Sequence, residues 1–545
     1  MFSLLVSLAV FLSFHAAFAE EHPPTTEAKP AALMSGLGQH HHPITTTNPE
    51  AQRFFDQGFA LVYGFNHDEA VRSFQRAAEL DPQAAMPWWG IALALGPNIN
   101  LDVDPAREKA AYEAVEKAQT LAVKGPENER AYINTLAKRY SIEPKADLKK
   151  LAVDYKNAMG ELVKRYPDDL DAATLYAESA MDLRPWQLWT LDGKPAPGTQ
   201  EIVAVLESVL ARDPYHPGAN HYYIHALEAS PHPEHALPSA ARLETLVPAA
   251  GHLVHMPSHI YIRTGDYTAS AKSNAAAAEV DRTYIHDNDV QGVYPLMYYS
   301  HNLHFLSVSQ AMAGRFADAK QAADQLAELV APAVKEMPMV EMFLPIPTFV
   351  LLRFQRWNDV LQVPAPDPSL PVTNLMWHFS RSLAYAATGD IPNAESEWKA
   401  FSSAEKVIPA DALFSATNKA GPVLPLAEAV LDAKIAMAKG QKKQAIAYWR
   451  KAVAAQDALA YDEPPAWYYP VRESLGGALL MDGQYQEAEK VFRADLHRTP
   501  RNGRSLFGLL AALKAQKKTA DAEWVQKALA AAWQNADSQL RPEDL

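Results

Sequence analysis

Eleven of the 19 histidines lie between positions 216 and 304: His216, His221, His225, His232, His235, His252, His255, His259, His286, His301 and His304. Their register says more than their number. His221 and His225 are followed 34 residues later by His255 and His259, so one pair of positions bears histidine twice at a fixed period. On a helix an i,i+4 pair stacks two imidazoles on one face, and His252, His255 and His259 extend that stripe to three. Imidazole nitrogen suits zinc, copper or iron. Side chains from two helices packed about 8–10 Å apart can converge on one ion at roughly 2.0–2.1 Å per bond. A single groove histidine is usually a solvated polar residue or a satisfied core group. The duplicated pair argues instead for a His-ligated transition metal held by His221, His225, His252, His255 and His259. His301 and His304 stand in a different register and are expected beside that site or in one of their own. Pro257, between His255 and His259, is expected to kink their helix.

Other residues offer less. Glu228 could supply a carboxylate ligand or a general base near metal-bound water, with Tyr222 or Tyr261 assisting proton transfer, although a helix glutamate is more often simply solvated. His67 fills the place of a packing aromatic, and the run His40-His42 could hold metal loosely. Asp462-Glu463-Pro464-Pro465 with Trp467-Tyr468-Tyr469 offers aromatic surface. No phosphate-cradling glycine loop, nucleophile elbow or HExxH is present.

The elements that carry these residues are helices. From Pro49 onward apolar residues recur at helical spacing and no alternating strand pattern appears. Gly58, Ala70, Phe74, Ala77 and Pro82 sit at offsets 0, 12, 16, 19 and 24, the spacing of the tetratricopeptide repeat (TPR), a 34-residue helical hairpin with an aromatic wedge at its crossing. Gly476, Gly483, Tyr485, Ala488, Phe492 and Pro500 repeat the pattern, with further copies at Tyr261/Gly265/Tyr267, Gly314/Phe316/Ala319, Tyr385/Gly389/Ala394 and Gly440/Ala445/Trp449/Ala452. The fold expected is an all-α TPR solenoid, a right-handed superhelix whose first helices line a concave groove. In that register His221, His225, His255 and His259 face the groove.

Residues 1–19 read as a secretory signal: LLVSLAVFLSF is followed by Ala17-Phe18-Ala19, although no Lys or Arg precedes the apolar run. Residues 20–48 read as a loose arm, 49–180 as N-terminal repeats, 181–200 as a Pro/Trp-rich inserted loop, 201–335 as the His-rich repeats and 336–545 as C-terminal repeats. Signal cleavage implies an exported chain, periplasmic or secreted, with no membrane span afterwards. A new N-terminus at Glu20 lacks the histidine that a copper histidine brace needs. Cysteine is absent, so no disulfide supports the fold and no thiolate binds metal. The net charge of −14, without a basic block, argues against a nucleic-acid partner.

The segments FNHDEAVRSFQRAAELDP, MPWWGIALALGPNIN, GANHYYIHALEASPHPEHALPSA, GHLVHMPSHIYIRTGDY and YDEPPAWYYPVRESLG resemble a family of bacterial exported TPR proteins, over most of the chain from Pro49 to about Gly508. The resemblance implies the repeat fold and export. It also implies that the His-bearing segments are a family feature. The function expected is binding of a protein, peptide or small molecule in the groove, beside a His-ligated metal. The alternatives are a metal-dependent hydrolase or oxidoreductase, and a metal-free peptide scaffold.

Overall fold

The helices begin where the sequence supplies caps. Asn48 accepts hydrogen bonds from the Glu50 and Ala51 amides, and Pro49 opens the helix Pro49–Tyr63. Asn66 accepts from the Glu69 amide and starts His67–Leu80. In this computed structural model, which describes residues 31–143, 145–409 and 412–545, every element is helical apart from two isolated bridges, Asn98↔Leu101 and Leu413↔Lys419. No helix among the described residues is long and apolar enough to cross a membrane.

Successive helices pair through an aromatic wedge. Phe74, fully buried on His67–Leu80, fills the space that a Cβ at Gly58 or at Gly90 would need. It therefore packs at once against Pro49–Tyr63 and against Met86–Leu95, the first helix of the next hairpin. Phe492 stands in the same relation to Gly476 and Gly508. The array is thus an all-α set of helical hairpins in TPR register, and the 16-residue spacing read from the sequence is the spacing from small residue to wedge. Gly265 and Gly483 take positive φ in the turns between paired helices (79° and 76°). Phe65 takes the left-handed conformation in the first hairpin (φ 53°), with its ring 4.5 Å from that of His221.

The helices gather into two compact units. Unit one comprises residues up to Leu188 with Pro195–Ala226 and Thr245–Ala250; unit two comprises Trp189–Lys194, Leu227–Glu244 and Gly251–Leu545. The signal-peptide reading falls outside the described residues.

Unit one is centred on Phe55, Phe59, Tyr63, Phe74 and Trp89, all essentially inaccessible. Residues 31–48 carry no helix and are stitched to it. Gln57 accepts from the Met34 amide (2.7 Å) and donates to the Ala32 carbonyl (2.9 Å), while His41 pairs with Asp56 (2.8 Å). In unit two the predicted kink is a break. The chain forms Gly251–His255 and then restarts at Pro257–Thr264, with proline at the first position, where no amide is needed. A π-helical turn, Tyr294–Tyr299, leads into Ser300–Met312 and places His301 near the start of that helix.

Candidate metal centre

Three histidines of unit two converge despite the break at Pro257. His255 and His259 are inaccessible, with their Nε2 atoms 2.9 Å apart, and His301 lies with its ring 4.8 Å from that of His255 and 5.7 Å from that of His259. One ring nitrogen from each falls within 4.8 Å of the others. Phe305, a turn beyond His301, walls the group, its ring 5.0, 4.9 and 5.2 Å from the three imidazoles.

Hydrogen bonding decides which nitrogens face inward. Asn274 donates its Nδ2 to the Ser270 carbonyl (2.8 Å), which turns its Oδ1 toward His255 Nδ1 at 2.6 Å. An amide oxygen only accepts, so Nδ1 of His255 carries the proton and Nε2 presents a lone pair. His259 Nδ1 lies 2.5 Å from Glu228 Oε2 and 3.0 Å from Glu463 Oε2, so it too is protonated toward acceptors. Both Nε2 atoms then point at one place. Two lone pairs at 2.9 Å repel, so the pair needs a cation or a proton between them.

Without a metal that proton belongs to His259. Burial depresses its basicity, but the charge and hydrogen bond of Glu228, followed by those of Glu463, outweigh burial and lift its pKa to about 10. Burial raises the Glu463 carboxyl to about 7 against the pull of His259. Nitrogens bound at 2.0–2.1 Å in a tetrahedral shell sit roughly 3.3 Å apart, so an ion would open this pair by only a few tenths of an ångström. Histidine ligands ordinarily donate their outer N–H to a carboxylate or a carbonyl-type oxygen, as His259 and His255 do here.

A second cluster, in unit one, has the opposite logic. Asp171 Oδ1 lies 3.0 Å from His40 Nε2 and 3.1 Å from His216 Nε2 and accepts the Tyr63 hydroxyl (2.7 Å), while Oδ2 lies 2.7 Å from His42 Nδ1. His216 Nδ1 accepts the Ala219 amide (3.2 Å), so a neutral His216 must carry its proton on Nε2 and spend it on Asp171. A metal on that Nε2 would require an imidazolate. The cluster therefore reads as a carboxylate saturated by donors, and it fastens His40 and His42 to unit one.

The other predicted residues lie outside the group of His255, His259 and His301. His221 and His225, in unit one, stack with ring centres 4.8 Å apart, and His221 Nδ1 donates to the Tyr63 carbonyl (2.7 Å). Tyr222 is buried beside them against Tyr63 and Phe65. His252, in unit two, packs on Tyr298 (5.2 Å), with its ring 5.8 Å from that of His255. His304 packs on Phe343, and burial lowers its pKa to about 4. Tyr261 donates to Glu244 (2.5 Å), and Glu228 faces the outer nitrogen of His259. His67 is half-buried against Phe65, its pKa lowered to about 4 by burial and by Arg107. Sequence reasoning missed Glu463 as a partner of the site, along with Asn274 and Asp171. The Asp462-Glu463 pair before two prolines was the one available signal, and it was read for its aromatics.

No family model and no curated protein matches the chain. Among solved structures it is similar to the human IFIT1 dimer with m7Gppp-AAAA, at 14% identity and a TM-score of 0.32, covering 90% of this chain and 91% of that one. It is similar to yeast Tom70 at 11% identity and a TM-score of 0.28, covering 92% and 94%, and to the P58(IPK) TPR domain at 11% and 0.21, covering 86% and 99%. Likenesses this remote carry no argument about activity, and the TPR reading rests on the wedges and turns of this chain.

Proposed function

We propose that this chain is an exported TPR-type protein that holds one transition metal ion on His255, His259 and His301 and presents its repeats to a protein, peptide or small-molecule ligand. The observation that carries the metal is the facing pair of Nε2 atoms at 2.9 Å, each on a ring whose Nδ1 is committed to an outer acceptor. Nitrogen-only ligation fits zinc, copper or iron. Three protein ligands leave a fourth position, where a metal centre of this type supplies an activated water or polarises a bound group. His301 is only half-buried, which supports access from its side and a metal-dependent hydrolase or oxidoreductase as the second reading. In that reading Glu228 and Glu463 hold His259 in place from its outer side.

Elemental analysis of the untagged protein, purified without chelators, tests the proposal beside a variant with His255, His259 and His301 all changed to Ala. The expected result is near-stoichiometric zinc, copper or iron in the native protein and none in the variant. A native protein that carries no metal and takes up none of the three on titration would leave only the metal-free binding scaffold.

A further inference from the structure

The 34-residue period gives unit one a histidine pair of its own. His221 and His225, on the helix Pro217–Leu227, are both buried, and their ring centres lie 4.8 Å apart, the same separation as those of His255 and His259. One ring nitrogen of each comes within 4.8 Å of the other, so a small rotation brings both onto a single ion at about 2 Å per bond. His221 Nδ1 donates to the Tyr63 carbonyl (2.7 Å) at the C-terminal end of Pro49–Tyr63, where carbonyls lack helical partners. A neutral His221 therefore carries its proton on Nδ1 and its lone pair on Nε2. An outer bond to a carbonyl of this kind is what orients a metal-bound imidazole.

The walls around the pair are aromatic and are held there at a conformational cost. The Phe65 ring lies 4.5 Å from that of His221 and stacks on His225 at 6.0 Å, while Trp186 meets His225 edge-on at 5.8 Å. Both aromatics have left-handed backbones, with φ of 53° and 59°. In the turns of later hairpins that conformation falls to Gly265, Gly314, Gly389, Gly440 and Gly483, or to the unbranched Gln355 and Lys517. A bulky aromatic at positive φ is strained, and such strain gathers where the side chain is needed for a site.

We propose that His221 and His225 bind a cuprous ion, separate from the ion on His255, His259 and His301. A cuprous ion has a filled d shell and is satisfied by two imidazoles, whereas zinc would call for two ligands more than the pair supplies. Its single charge also costs less than a double one among aromatic walls. The two sites share no ligand, so each stands or falls without the other. Two ligands hold an ion more weakly than three, so this ion washes out during purification in air and returns on titration.

The experiment is anaerobic equilibrium dialysis of the full chain against copper(I), kept reduced by ascorbate and soluble by acetonitrile, with bound copper measured by elemental analysis. The wild type is expected to bind two equivalents. His225→Phe keeps an aromatic ring between Phe65 and Trp186, and His221→Gln keeps a donor for the Tyr63 carbonyl. Each should bind one equivalent fewer, with helix content unchanged by circular dichroism. The His255/His259/His301→Ala variant should lose only the other equivalent, and zinc should bind wild type and His225→Phe equally. Should His221→Gln fail to fold, His225→Phe carries the test. Copper(I) uptake by folded His225→Phe equal to that of wild type, or a second equivalent of zinc that this substitution removes, would overturn the assignment. If instead the three-histidine centre is wrong, its triple variant binds as much copper as wild type, and the loss in His225→Phe still decides for this pair.

Discussion

At the scale of single residues, His259 holds the centre by having both ring nitrogens committed, one to carboxylates and one toward His255. This arrangement separates two placements of the ion. With the ion on the Nε2 side, Glu463 only orients His259, and Glu463→Gln should weaken metal affinity about 10- to 100-fold, whereas His301→Ala removes a ligand and costs far more. With the ion among Glu228, His259 Nδ1 and Glu463, which also lie within reach of one another, the order reverses. Competition titration with a chromogenic chelator on both variants ranks them. Asp171 in unit one supports a second prediction. Burial disfavours its charge, but His40, His216 and His42 hold its carboxyl well below the usual range. His42 is raised because its bond to Asp171, with Asp169 and Asp56 adding charge, outweighs burial. The Asp171 share of stability is thus lost as pH falls through its lowered pKa, and the His42 share is lost as pH rises through its raised one. Unit one should be most stable between about pH 4 and pH 6.5. Asp171→Asn should cost roughly 2 kcal/mol there and flatten the profile, as measured by urea unfolding across pH. Two histidines of the proposed centre, His255 and His259, were legible in the sequence because a 34-residue period marks them, whereas His301 stands in another register and was expected only beside that site or in one of its own. Glu463 and Asn274 were not, because they reach the site through packing, and a contact across 204 residues leaves no periodic trace.

At the scale of elements, the hairpins declared themselves through small residues and aromatics 16 positions apart, since wedge packing tolerates few other choices. The break at Pro257 was legible as a kink, but its outcome was not. Proline can begin Pro257–Thr264 while Met256 keeps helical φ and ψ (−51° and −36°), so the i,i+4 spacing still brings both rings together. Long-range capping was invisible. The helix Phe316–Val330 starts after Arg315, whose side chain gives no cap, and Asp537 fills that role from over two hundred residues away. It accepts the Phe316 amide (2.7 Å) on one oxygen and the Ala317 amide (3.1 Å) on the other. Negative charge at a helix N-terminus is also favourable to the helix dipole. Asp537→Ala should therefore cost about 1 kcal/mol, read as a lower urea midpoint with an unchanged m-value.

At the scale of the molecule, a repeat array without disulfides draws its stability from contacts between neighbouring hairpins, and a bound ion adds to that through linkage. An ion that binds only the folded chain stabilises it by about 4 kcal/mol when free metal stands a thousandfold above its Kd. For a unit of this size each kcal/mol corresponds to a few degrees, so adding zinc to chelator-treated protein should raise the melting temperature by roughly ten degrees. The His255/His259/His301→Ala variant should show no such shift, because it keeps the wedges and loses the ligands. A wild-type melt indifferent to both chelator and metal, or an equal shift in the variant, would place any bound ion elsewhere. The far-UV circular dichroism of the chelated chain then assigns the metal its role. Retained helix means that the repeats fold on their own and the ion is added to a finished scaffold, as the fully packed wedges at Phe74 and Phe492 lead us to expect. Loss of helix would make the ion part of the core of unit two. That would follow from the break at Pro257, where Gly251–His255 and Pro257–Thr264 are each too short to persist without packing against their neighbours.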